Sequence, residues 1–106
     1  MYLVGGRMKI IALEVEKEGL AKTDFGAYLK QEAAAVWNLQ QRNILREIYF
    51  NQNTHTAVLV LETNSTRQAL EILNELPLVQ AGLIDFELIP LVPYDGFSRL
   101  FKNREE

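Results

Sequence analysis

The spacing of apolar and polar residues divides this chain into segments of different rhythm. Met8 to Glu16, MKIIALEVE, is apolar on both alternating sets, Ile10 and Ala12 on one and Ile11, Leu13 and Val15 on the other. That pattern predicts a strand buried on both faces. KEGLAKT follows as a loop. From Asp24 to Arg42 the rhythm turns helical, with Phe25, Leu29, Val36 and Leu39 recurring on one side. Thr23 or Asp24 is placed to cap the first amides, and Glu32 to Ala35 are all strong helix formers.

Ile44 to Asn51 and Thr56 to Thr63 are rich in β-branched and aromatic residues, as strands are. The polar QNTH between them predicts an antiparallel hairpin. Asn64 to Leu76 is a second helix, with a capping-box pattern at Ser65 and Gln68 and an apolar stripe of Ala69, Ile72, Leu73 and Leu76. Pro77 stops it, because a proline inside a helix loses a hydrogen bond and clashes with the preceding turn. Gly82 to Val92 is the last strand. Pro90 cannot donate to a ladder, so this strand lies at an edge or frays there.

The order is β-α-β-β-α-β, the ferredoxin-like arrangement of an α+β fold, in which one antiparallel sheet carries both helices on one face. The strands are apolar on their second face too, and a second copy of the chain is the simplest cover for it. Two such sheets face to face form a dimeric α+β barrel. The expected organisation is a loose leader over 1–7, the α+β domain over 8–92 and a C-terminal arm over 93–106. Phe97, Leu100 and Phe101 give the arm an amphipathic spacing, suited to packing on a neighbour or on its own chain.

Length and composition agree with one ordinary globular domain: 106 residues, 48% hydrophobic and 24% charged. A net charge of -3 offers no general attraction to nucleic acid or an anionic membrane. No apolar run is long enough to span a bilayer. The absence of cysteine rules out disulfides and thiolate metal sites and fits a reducing cytoplasm.

No phosphate-binding glycine loop and no metal-ligand spacing is present, so no cofactor is expected. Glu32 stands out, because it projects among Phe25, Tyr28, Val36 and Leu39. A carboxylate on an apolar face must be paired, protonated or lining a cleft. Burial raises its pKa toward that of a general acid or base; the other reading is a partly exposed glutamate at the edge of the helix interface. Arg46, by simple alternation, shares a face with Ile44, Ile48 and Phe50. It is either a clamp for a substrate carboxylate or one half of a cross-strand ion pair, with Asp85 or Glu87 as partner. Tyr28, Tyr49 and His55 are candidate substrate-binding groups, each with a plainer reading as a packing or solvated residue. Trp37 is expected to point away from the Glu32 sector and to serve packing.

VLVLETNSTRQALEILNELPLVQAGLIDFELIPL resembles the muconolactone delta-isomerase family, with an acidic-to-Ser boundary at Glu62 to Ser65, Leu76-Pro77-Leu78 closing a helix, and a final strand at Ile84 to Leu91. Glu32 and the pair Leu39-Gln40 extend the resemblance. It implies a dimeric α+β barrel able to assemble further, and a shift of a double bond in a small lactone or carboxylic acid without metal or organic cofactor. Under that resemblance Glu32 is the base and Arg46 the cation. The first strand departs from the family pattern, with Ile10 and Ala12 where the family carries a histidine and a basic residue. The alternative is a non-catalytic or stress-related barrel that binds a small molecule.

Overall fold

The computed structural model describes residues 7–19 and 23–101. The expected leader, apart from Arg7, and the terminal KNREE lie outside these residues. Four strands, β1 (Met8–Glu16), β2 (Leu45–Phe50), β3 (Ala57–Thr63) and β4 (Ile84–Pro90), form one antiparallel sheet in the order β2-β3-β1-β4. The helices are α1 (Thr23–Gly26), α2 (Leu29–Gln41), α3 (Thr66–Leu73) and α4 (Pro77–Gln80), and a 3-10 turn spans Gly96–Leu100. This is the expected ferredoxin-like α+β fold, with β4 at an edge and Pro90 as its last residue.

One alternation of the central strands builds the core. Ile10, Ala12, Leu59 and Leu61 are buried, in register as Ile10↔Leu61 and Ala12↔Leu59, and pack with Leu39, Leu45, Ala69 and Leu73. Burying each such leucine or isoleucine contributes roughly 1.5–3 kcal/mol. The other alternation runs through Ile11, Leu13, Val58 and Val60 and is only half-buried. Val15 and Ile89 continue it as exposed residues. Its charges pair across strands, with Glu62 meeting both Lys9 and Arg46.

The first helical segment is two helices. The chain leaves α1 at Gly26, a residue that weakens a helix interior by about 1 kcal/mol relative to alanine, and resumes as α2 with Tyr28 as its N-cap. Pro77 is also more than a stop. α3 ends at Leu73, and Pro77 opens α4 at the first helical position, where its missing N–H costs nothing. Ser65 accepts from the Gln68 amide at 3.0 Å while the Gln68 side chain accepts from the Asn64 amide at 2.7 Å, a reciprocal cap for α3.

Two helices end in the same way. After α4 the Gly82 amide donates to Val79 and the Leu83 amide to Leu78, with Gly82 at φ +76°. After α2 Asn43 takes the left-handed place at φ 61°, its amide donating to Gln40 and that of Ile44 to Leu39. Both are Schellman closures. Beyond β4 the arm keeps its apolar side chains in solvent. Tyr94 and Phe97 meet edge to face at 4.8 Å over Gly96, and Phe97, Leu100 and Phe101 stay exposed.

Candidate functional site

One row of residues crosses all four strands: Phe50 on β2, Ala57 on β3, Glu14 on β1 and Phe86 on β4. Above this row, under α2, the packing leaves a cavity of about 620 Å³, within the range of small-molecule sites. Ala33 on α2 and Ala57 on β3 place methyl groups where larger side chains would fill the space. Phe25, Leu29, Val36, Leu59, Leu78 and Phe86 supply apolar wall.

Glu14, Glu16 and Glu32 stand in this wall, and two of these carboxylates are each held by a backbone amide. Glu32 on α2 accepts from the Leu78 amide at 2.9 Å. Leu78 is the second residue of α4, so the carboxylate closes the start of a helix whose own N-cap, Leu76, has no side-chain acceptor. Glu14 on β1 accepts from the Ala57 amide at 2.7 Å, one step past the last β1–β3 register pair, Leu13↔Val58. Burial pushes the Glu32 pKa above its usual value; the Leu78 amide opposes that and the charge of Glu14 adds to it. Burial likewise raises Glu14, with the Ala57 amide opposing, Glu16 adding and His55 opposing. The hydrogen bonds fix one oxygen of each group, and a carboxylate has a second oxygen with which to meet a ligand.

His55 joins the lining from the β2–β3 turn. It holds the left-handed conformation at φ 57° and stacks on Phe50 with ring centroids 4.0 Å apart. The Asn51 side chain pins that turn by accepting from the amides of Asn53 and Thr54. A non-glycine residue in this backbone region is uncommon, although histidine is among those that tolerate it.

Of the five side chains singled out from the sequence, the structure brings Glu32 and His55 together in the cavity. Tyr28 packs beside it, against the small cluster of Leu78, Leu83 and Ile84, and is not a wall residue. Arg46 and Tyr49 lie elsewhere. A β-bulge between Leu45 and Glu47 shifts the alternation of β2, so Ile48 pairs with Leu59 on the helix side, whereas Tyr49 pairs with Val58 on the outer side. Arg46 follows the outer side too, and its Nε lies 3.0 Å from Glu62. The expected clamp thus stands on the opposite face of the sheet from Glu32, and its partner is Glu62 rather than Asp85 or Glu87. The Tyr49 hydroxyl donates to Glu47 at 2.8 Å, in solvent.

Trp37, expected to turn away from Glu32, lines the same cavity at its exposed rim. Glu14 was not singled out from the sequence. The signal for it was present: on the alternation of Ile10 and Ala12 it is the next residue, hence a carboxylate on the core face. Among the described residues no three His, Cys, Asp or Glu side chains group as a metal site, and no helix is long and apolar enough to cross a membrane. No protein-family model matches the chain, and no curated protein matches it in sequence.

Proposed function

We propose that this protein is a cofactor-free proton-transfer enzyme, an isomerase of the muconolactone-isomerase kind acting on a small lactone. The observation that carries this reading is the pair Glu14 and Glu32, two carboxylates with raised pKa values in one apolar cavity. Shifting a double bond requires a base for the proton α to a carbonyl, a donor to the carbonyl oxygen, and return of the proton further along the chain. Two acids whose ionisation is opposed by burial suit this division, one ionised and one neutral. Glu32 is the base and Glu14 the neutral donor. The described wall holds no lysine or arginine, so the first substrates to test are lactones without a free carboxylate.

The working form is a homodimer, the half-buried face of Ile11, Leu13, Val58 and Val60 meeting the same face of a second copy. A dimeric α+β barrel leaves the cavity, on the other side of each sheet, open to substrate.

The test is turnover of an enol-lactone panel, muconolactone included, followed by NMR in deuterated water. Glu32→Gln lowers the rate at least about 100-fold; an unchanged rate removes Glu32 from the mechanism. A second reading is a small-molecule carrier without turnover. It is favoured by the fact that both carboxylates already serve backbone amides, Leu78 and Ala57. Tight binding by the panel with no deuterium exchange decides for it.

A further inference from the structure

The charges of the cavity wall point in one direction. Among the described lining residues the charged groups are Glu14, Glu16 and Glu32, all acidic, with His55 beside them. The described cations with ion pairs stand outside it: Lys9 and Arg46 on Glu62, Lys17 on Asp85, and Arg67 on Glu71. An ionised carboxylate accepts hydrogen bonds and donates none, and a protonated one keeps an accepting oxygen, so these groups favour a ligand that donates. Apart from Gln40 and Thr54, the rest of the wall is apolar and aromatic. Trp37 and Phe50 are among its aromatic residues, and an aromatic ring attracts a positive charge and cannot solvate a negative one. An anion entering here meets like charge.

We infer that the cavity selects apolar molecules bearing an amino group, and rejects their carboxylate analogues. The ammonium group supplies three donors, enough to engage the second oxygens of Glu14 and Glu32 together, while its apolar body fills the space beneath Ala33. The inference rests on the reading of this cavity as the ligand site, and it names a charge class that lactone turnover does not require.

The test uses three ligands of one shape: 2-phenylethylamine, 2-phenylethanol and phenylacetate. Trp37 is the only tryptophan and lies at the rim, so its emission follows binding to the whole chain at neutral pH. The expected order is amine, then alcohol, then acid, with the amine at least about tenfold tighter than the acid. Glu32→Gln and Glu14→Gln each shrink that ratio. Glu16→Gln, at an exposed position, is the variant that keeps the fold if the other two do not, and it lowers the ratio to a smaller degree. Equal affinities, tighter binding of phenylacetate, or no binding by any of the three overturns the inference. Lactone turnover without the charge order leaves the proposed reaction standing and this inference fallen; the charge order without turnover does the reverse.

Discussion

The Glu32 carboxylate and the Leu78 amide, 2.9 Å apart, join α2 to the first turn of α4. Pro77 has no N–H, so Leu78 carries the first donor of α4, and Leu76 offers no side chain to meet it. Glu32 therefore caps one helix from the flank of another. Replacing it by alanine is expected to lower stability by about 1 kcal/mol, the usual cost of a lost cap. Glu32→Gln keeps an accepting oxygen and stays close to wild type. Urea unfolding of the three proteins checks this, and equal midpoints for alanine and wild type would show that the bond contributes nothing. Together with the turnover test, the glutamine variant separates the capping role from the acid-base role.

The pH dependence of stability follows from burial. Glu14 and Glu32 both titrate above the usual 4.5 in the folded chain. A group that binds its proton more tightly when folded stabilises fully below its unfolded pKa, and that contribution is lost as pH rises through the raised folded value. The groups that share their surroundings are Glu16 and His55. Relative to a Glu14→Gln/Glu32→Gln double variant, the wild type should lose melting temperature as pH rises from 4.5 through the raised folded values. A difference that stays flat over this range contradicts the assignment.

His55 and Gly82 share a backbone region and differ in what they bring to it. At Gly82 an added Cβ meets open space, so Gly82→Ala tests backbone strain alone and should destabilise by about 1 kcal/mol. His55→Asn places another residue that tolerates φ 57°. It is expected to leave stability within about 0.5 kcal/mol while removing the ring stacked on Phe50. Ligand binding followed through Trp37 should weaken. Unaltered binding would reduce His55 to a turn residue.

For the proposed dimer, Val60 is the residue to change. It pairs with Ile11 near the middle of the outer face. Val60→Lys sets like charges opposite each other across a two-fold interface and should yield a monomer by light scattering. A wild-type chain that is itself monomeric would remove the dimer from the proposal.

Much of the fold was legible because periodicity and punctuation agreed. Pro90 marked the edge strand, and Ser65 with Gln68 marked the start of α3. The break between α1 and α2 was hidden, because the apolar residues Phe25 and Leu29 keep helical spacing across it. Helix α4 was hidden for a different reason: four residues are too few to show a period, and Pro77 serves equally as the end of one helix and the start of the next.

Half of the candidate site was legible. Glu32 showed itself as a polar interruption of an apolar stripe, the kind of conflict that marks function or a structural bond, and here it marks a bond at least. Glu14 follows Ile10 and Ala12 on one alternation of a strand whose middle is apolar on both sides, and that apolar pattern hides a carboxylate at its end. Arg46 reads by alternation as sharing a face with Ile48 and Phe50, and the structure separates them, since a bulge leaves no signature in the residues that make it.

That bulge acts as a counter. A strand sorts its side chains by odd and even position, and one extra residue exchanges the two classes from that point onward. Downstream of Leu45 the exchange gives Ile48 and Phe50 to the cavity, and Glu47 and Tyr49 to the outside. Without it Glu47 would stand opposite Leu59, and the wall would gain a further carboxylate and a phenol in place of two apolar side chains. The composition of the cavity thus depends on the number of residues in β2 as well as on their kinds. Substitution of Arg46 alters one ion pair, whereas its deletion would turn the strand inside out.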